Sequence, residues 1–358
     1  MNYSTGQVSI DLKAIKNNYL FLKKYCYPSN VAATVKASSY GLGGENKIVE
    51  TLIKCNCKNF FVANIVEALK IRKKSKFINL FVLNGLNIKE EKIFYDNDIV
   101  PVLNTFEQFL RWKKFLANNY NKQIIIHVDT GMNRLGFQDN DLKKLKNFKN
   151  DLYKFKNVLF MSHLACADEK KNLFNLEQKN KFDKIVKEFP GFKYSLAASG
   201  GIFLGKSYHY DMVRPGISLY GGKRTFHKKI KHAVSLKVPI IQINEIKKGN
   251  SIGYSRTYFA KKNITTATIS VGYADGINIR LSNKGFFHFK KKQVPIIGRV
   301  SMDLIILDIT KLKKKIKIGD FINIYNKHYT IDDFAKQTGT IPYRIITCMS
   351  SRYDKKYL

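Results

Sequence analysis

At 358 residues the chain is too long for one ordinary domain, and with 44% hydrophobic and 13% aromatic residues it is too apolar for a disordered or collagen-like polymer. No run approaches the ~20 apolar residues that span a bilayer, and five scattered cysteines, of which Cys55 and Cys57 are separated by one residue, give neither a disulfide framework nor zinc-ligand spacing. The 63 Lys and Arg against 27 Asp and Glu, a net charge of +36, would suit a nucleic-acid partner, but they are spread along the whole chain without a binding motif and read as compositional bias. No nucleic-acid, membrane or metal partner is therefore expected. The first residues, MNYSTGQVSIDL, lack the basic start and apolar core of a secretory signal, so the expected compartment is the cytoplasm.

In chain order, Val8–Ile10 comes first, a short stretch ahead of the first helix pattern; residues 1–10 are expected to pair with a distant β domain. Eight short apolar runs follow: Val31–Val35, Phe60–Ala63, Leu80–Leu83, Val100–Leu103, Ile124–Val128, Val158–Met161, Tyr194–Ala197 and Asp211–Val213. Between them lie helical patterns such as NIVEALKIRKK and NTFEQFLRWKKFL, the second with Asn104 or Thr105 as its cap. Eight strand-helix units predict an α/β fold, a (β/α)8 TIM-like barrel over residues 1–222. After Gly222 the runs VPIIQINEI, ITTATISVGY, QVPIIGRVSMDLIILDI and DFINIYN, separated by Gly, Asn and Lys turns, predict a mostly-β domain over residues 223–358.

A barrel of this kind gathers its chemistry at the C-terminal ends of its strands. Most lysines of so basic a chain are solvated surface. Lys36 differs because it ends a buried run and is followed by Ala37, Ser38 and Ser39, small residues that let another group approach. Later runs end in HVDTGMNRLGF, SHLACADE, AASGG and VRPGISLYGG. The Gly and Ser turns of the last two expose backbone N–H groups, a phosphate cradle to which Ser199, Gly216 and Ile217 belong. A lysine across from a phosphate cradle points to a Schiff base with pyridoxal phosphate.

The segments VKASSYGLG, FFVANIVEA, VDTGMNRLGF, SHLACADE, MVRPGISLYG, IGYSRTY, SVGYADG and GRVSMDLIILD run in order over nearly the whole chain. Through them the sequence resembles the alanine racemase family. The resemblance implies a pyridoxal-phosphate enzyme interconverting L- and D-alanine, by family analogy for peptidoglycan, built as a homodimer with shared active sites. It implies that Lys36 bonds the cofactor and carries a proton on one face of the substrate, and that Tyr254 of the partner subunit carries one on the other. Removal on one side and return on the other needs only two opposed groups. Tyrosine is ordinarily a poor base, its hydroxyl titrating near ~10, so cations must stabilise the phenolate; His163 and Arg214 resemble the family's residues for that link.

Arg214 also matches the family's partner for the cofactor's ring nitrogen, and a guanidinium does not readily give up a proton. Tyr40, Ser199, Gly216 and Ile217 match the phosphate contacts. Arg134 and the main chain of Met302 match the substrate-carboxylate contacts, with Met302 again from the partner, and Tyr273 matches a residue of the access channel. Two other functions stand beside this one: a racemase of the same fold acting on serine or a broader set of amino acids, and a non-catalytic pyridoxal-phosphate carrier, which the β domain with IGYSRTY argues against.

Three positions depart from the family. His127 stands where many members carry a carbamylated lysine that orients the arginine matching Arg134; a neutral imidazole, a bound anion or Asp129 is left to steady it. Ala198 replaces an asparagine beside the phosphate-binding serine, removing a polar contact. Ser351 aligns with a tyrosine near the C-terminus, which predicts room beside the methyl of alanine and tolerance of L-serine.

Overall fold

The computed structural model describes residues 6–117, 119–222 and 226–358, with the side chains of residues 45 and 46 also outside the description. Residues 1–5 of the pairing segment and residues 223–225, where the second domain was expected to begin, therefore lie outside the described residues.

Seven parallel strands form the body of the barrel: Ala33–Thr34, Asn59–Val62, Asn79–Val82, Ile99–Leu103, Gln123–His127, Asn157–Met161 and Lys193–Ser195. Each pairs with the next in chain order. The eighth, Met212–Val213, pairs in parallel with Asn30–Val31 on the other side of the gap. Backbone bonds close the ring: Arg214 N–H to Ala197 O at 2.9 Å, Ala32 N–H to Val213 O at 2.9 Å and Thr34 N–H to Pro215 O at 2.9 Å. All eight expected runs are strands of one barrel. They read as unbroken apolar runs because parallel strands are covered on both faces. Inside, Phe61 and Phe81 pack with ring centroids 4.8 Å apart, and Ala32 makes room for them.

The outer helices follow their caps. Thr105 accepts the Gln108 N–H at 3.1 Å and starts Phe106–Leu116, which buries Phe109, Trp112 and Leu116 on one face. Asn104 is thereby released from capping, and its side chain turns inward to the site. Asn64 accepts the Glu67 N–H at 3.0 Å and starts Ile65–Arg72.

The second domain is a sheet whose long central strand, Val234–Ile246, pairs with Ile264–Ile269, with Phe321–Tyr325 and with Gln7–Ile10. Gln7–Ile10 lies between that strand and the C-terminal strand Asp354–Tyr357. The run QVPIIGRVSMDLIILDI is two strands, Lys292–Pro295 and Ile305–Asp308, not one. Gly298 takes a φ of 75° between them, and Ser301 Oγ donates to Leu304 O at 2.6 Å, closing a loop that projects Met302. The two domains meet at the site: Lys355 Nζ donates to Gly41 O at 2.8 Å and the Tyr357 hydroxyl to Leu42 O at 2.9 Å.

Candidate active site

A cavity of about 410 Å³ opens at the C-terminal ends of the barrel strands. Lys36, Tyr40, Arg134, His163, Ser199, Arg214 and Gly216 all line it. Ile217 is fully buried and does not line it. Tyr254, Tyr273 and Met302 lie on the β domain, outside this cavity, with 70%, 42% and 53% of their surface exposed.

Lys36 follows the first strand and is half-buried. Burial lowers its ammonium pKa, as does Arg134, while Glu67 opposes both. The residues after it do something the sequence did not announce. Ala37, Ser38, Ser39 and Tyr40 have φ of 54°, 53°, 52° and 60°, a left-handed turn that costs non-glycine residues roughly 1–2 kcal/mol each. Within it Ser39 N–H reaches Val35 O at 3.0 Å and Gly41 N–H reaches Ala37 O at 2.6 Å. The small side chains expected to admit a ligand are also those that crowd such a turn least.

The turn delivers Tyr40 to the cradle. A Cβ on Gly216 would lie 1.9 Å from the Tyr40 hydroxyl, so only glycine lets that hydroxyl reach the backbone there. Ser199 Oγ accepts Gly216 N–H at 2.9 Å and Ser218 N–H at 3.3 Å, which leaves its own proton to donate. Burial raises the Tyr40 pKa, so its hydroxyl remains a donor. Bare donors converging on one end of a cavity, across from a lysine, fit a phosphate-bearing aldehyde cofactor.

Arg214 is 4% exposed and is held without a carboxylate: its guanidinium donates to Ser162 O at 2.5 Å, to Leu196 O at 3.3 Å and to Ser195 Oγ, and its Nη2 faces His163 Nδ1 at 3.5 Å. Burial lowers its pKa to about 10, which leaves it charged at neutral pH. His163, lowered to about 3 by burial and the neighbouring cations, is the neutral acceptor of that pair.

His127 is buried, and its Nδ1 lies 2.7 Å from Asn104 Oδ1, whose amide nitrogen donates to Leu83 O at 3.1 Å and to Val102 O at 3.2 Å. That arrangement puts the ring proton on Nδ1 and leaves Nε2 an acceptor. Burial, with Arg214 and Arg134 adding to it, lowers the His127 pKa to about 4, so a neutral imidazole occupies the departure position. Asp129 is engaged elsewhere, accepting Gly131 N–H at 2.8 Å, Met132 N–H at 2.9 Å and Gln138 Nε2 at 3.0 Å. Arg134 is exposed and forms no ion pair among the described residues, which leaves its guanidinium free for a carboxylate.

A pH dependence follows from His127. Its pKa is depressed on folding from the ordinary 6.5, so its contribution to stability is complete above pH 6.5 and is lost as pH falls toward 4. By pH 5 the loss is about 2 kcal/mol. Urea midpoints at pH 7.5 and 5 should show wild type losing about 2 kcal/mol more than His127→Gln; equal losses would contradict a neutral buried imidazole.

Ser351 does not line the cavity. It is exposed, and the ring near the cradle is Tyr343, in the helix Pro342–Thr347, whose centroid lies 6.2 Å from that of Tyr40. The expectation of serine tolerance from Ser351 is therefore withdrawn, since the wall it assumed missing is present. The tyrosine lies eight residues earlier in the chain, ahead of a loop, and only the helix brings it back to the barrel. Ala198 lines the cavity, and its backbone bridges in parallel to Arg214. Sequence reading also passed over Asn104 and Glu67, which look like ordinary helix-start residues.

On the β domain the expected loops are knitted together. Tyr273 N–H donates to Ser301 O at 3.0 Å, Ala274 N–H to Met302 O at 3.1 Å, and Arg352 reaches both Asp275 at 2.9 Å and Asp303 at 2.8 Å. Tyr254 sits on a turn where Gly253, Ser255 and Arg256 have positive φ, with Arg299 Nη1 donating to Ser255 Oγ at 3.1 Å.

Family models for the N-terminal and C-terminal domains of alanine racemase match residues 10–224 and 233–357. The chain is 41% identical over 354 residues to an alanine racemase of Rickettsia canadensis, covering 98% of each chain. It is 38% identical over 361 residues to a catabolic alanine racemase of Rhizobium johnstonii, covering 99% of this chain and 95% of that one. Its fold matches the alanine racemase of Bartonella henselae, solved with covalently bound pyridoxal phosphate, with a TM-score of 0.95 and 36% identity over 99% of this chain and 100% of that one. The biosynthetic alanine racemase of Pseudomonas aeruginosa gives 0.91 at 26% identity, over 99% of this chain and 100% of that one. With both domains matched in order along the chain and the fold reproduced from end to end, the chain belongs to the alanine racemase family.

Proposed function

We propose that Lys36 and the Tyr254 of a second copy of this chain are the two opposed proton carriers of a shared active site. The reaction is that of the family: the protein is a pyridoxal-phosphate-dependent isomerase that interconverts L- and D-alanine. The cofactor, when bound, withdraws electrons from the substrate's Cα and so makes its proton removable. Lys36 holds the cofactor and faces one side of Cα. Tyr40, Ser199, Gly216 and the main chain of Ile217 hold the phosphate, and Arg214 holds the ring nitrogen without giving up a proton. Arg134 and the main chain of Met302 from the other subunit take the substrate carboxylate, and Tyr273 borders the channel. Arg214 lends positive charge to the tyrosine link through neutral His163, which accepts from it at Nδ1 and keeps its other ring N–H to donate to the tyrosine oxygen. Tyr343 presses on the substrate side chain, which favours a methyl group over larger ones.

One observation carries the sharing: the cavity holds Lys36, whereas Tyr254, the expected second carrier, is 70% exposed on the other domain. A buried cavity and an exposed catalytic group on one chain complete each other when two copies associate symmetrically. Among the described residues no helix is long and apolar enough to cross a membrane; the cytoplasm and the supply of D-alanine to peptidoglycan are part of this proposal. Mixing inactive Lys36→Ala and Tyr254→Phe subunits tests it. Random exchange yields half heterodimers, each with one site intact and one doubly altered, so about a quarter of wild-type activity should return. No recovery despite demonstrated exchange would show that the sites are not shared.

A further inference from the structure

We propose that Glu67 is the positioning residue of Lys36, fixing the turn that carries the lysine and supplying the negative charge set against the cavity's cations. The inference rests on the reading of Lys36 as a proton carrier. Glu67 stands in the first turn of Ile65–Arg72, where Asn64 caps its N–H and sets its direction. One carboxylate oxygen accepts Ala37 N–H at 2.7 Å; the other accepts Ala63 N–H at 2.8 Å. The side chain thus staples the end of the second barrel strand to the first residue after Lys36.

That place matters because Ala37 opens the left-handed turn, the costly conformation the lysine's position depends on. Ser39 N–H and Gly41 N–H bond backbone carbonyls of the turn, whereas the N–H of Ala37 is held by Glu67. Charge acts in the same direction. The groups around Lys36 are Arg134 and His127 from the fifth strand and its loop, His163 after the sixth, Arg214 after the eighth, Tyr40 on its own turn and Tyr343 from the C-terminal helix. Arg344 on that helix lines a different cleft. Arg134 disfavours a charged Lys36, and Glu67 favours it.

Glu67→Gln keeps the shape, loses the charge and one acceptor; Glu67→Asp keeps the charge and shortens the reach. Both are compared with wild type as pyridoxal-phosphate-loaded protein. In a pH titration of the absorbance of lysine-bound cofactor, without substrate, Glu67→Gln should move the midpoint to lower pH by about half a unit to two units, because the protonated nitrogen loses its counter-charge. Glu67→Asp should leave it within about a few tenths. In Cα-proton exchange, the pH limb of the enantiomer spared by Tyr254→Phe, the one Lys36 serves, should shift the same way while the other enantiomer's limb stays. An unmoved midpoint in Glu67→Gln, or equal movement of both limbs, overturns the proposal. Should Glu67→Gln not fold, Glu67→Asp decides: it should lose about tenfold to a hundredfold in kcat for the Lys36 enantiomer at an unmoved midpoint, and an undiminished kcat overturns the proposal. If Tyr254→Phe spares neither enantiomer, the two-carrier reading fails, and the absorbance titration still decides the role of Glu67.

Discussion

Replacing Lys36 with alanine removes racemisation entirely within detection, a loss of more than about 10⁴-fold, and with it the absorbance of lysine-bound cofactor. The size of the effect follows from two duties held by one amine. It is the nucleophile that fastens the cofactor, and it is a proton carrier at Cα. Among the described residues no other lysine lines the cavity, so none of them can substitute. The fold should survive, because Lys36 is half-buried and the turn after it is held by backbone bonds and Glu67. Borohydride reduction of wild type followed by peptide mapping should label Lys36 alone. A different labelled lysine, or a cofactor band that persists in Lys36→Ala, would remove the basis of the assignment.

Replacing Tyr254 with phenylalanine leaves the cofactor bound and slows Cα-proton exchange about 10²- to 10⁴-fold for one enantiomer while largely sparing the other. The asymmetry is the point of the measurement. Racemisation in both directions needs both carriers, so overall turnover cannot tell them apart, whereas exchange of the Cα proton with solvent needs only the carrier on that proton's side. The substitution deletes one oxygen from a side chain that is 70% exposed, so stability should change by no more than about 0.5 kcal/mol. Similar modest losses for both enantiomers would mean that Tyr254 is not a proton carrier. The same pair of exchange rates identifies which enantiomer belongs to Lys36, on which the Glu67 experiment depends.

The sequence by itself determined the parts of this protein that are local. Eight apolar runs are legible because each parallel strand is buried on both faces and admits few polar residues. Lys36 stood out because a charged side chain at the end of such a run is conspicuous, and Ser199 and Gly216 because Gly and Ser turns late in a barrel are where a phosphate cradle is expected. Only the tertiary structure decided what those residues meet. Thr105 took the helix cap, and Asn104 was freed to fix the tautomer of His127 on the adjacent strand; in sequence the two were equal candidates. Glu67 reads as one more acidic residue in a helix's first turn, yet its carboxylate ends on Ala37, the residue after Lys36. Tyr343 and Ser351 show the same limit from the other side. Which C-terminal residue walls the cavity depends on how a six-residue helix docks against the Lys36 turn, and such docking energy comes from contacts between segments far apart in the chain, which no local pattern records. The left-handed turn is the extreme case: Ala-Ser-Ser-Tyr has no intrinsic preference for it, and the surrounding hydrogen bonds and packed rings impose it.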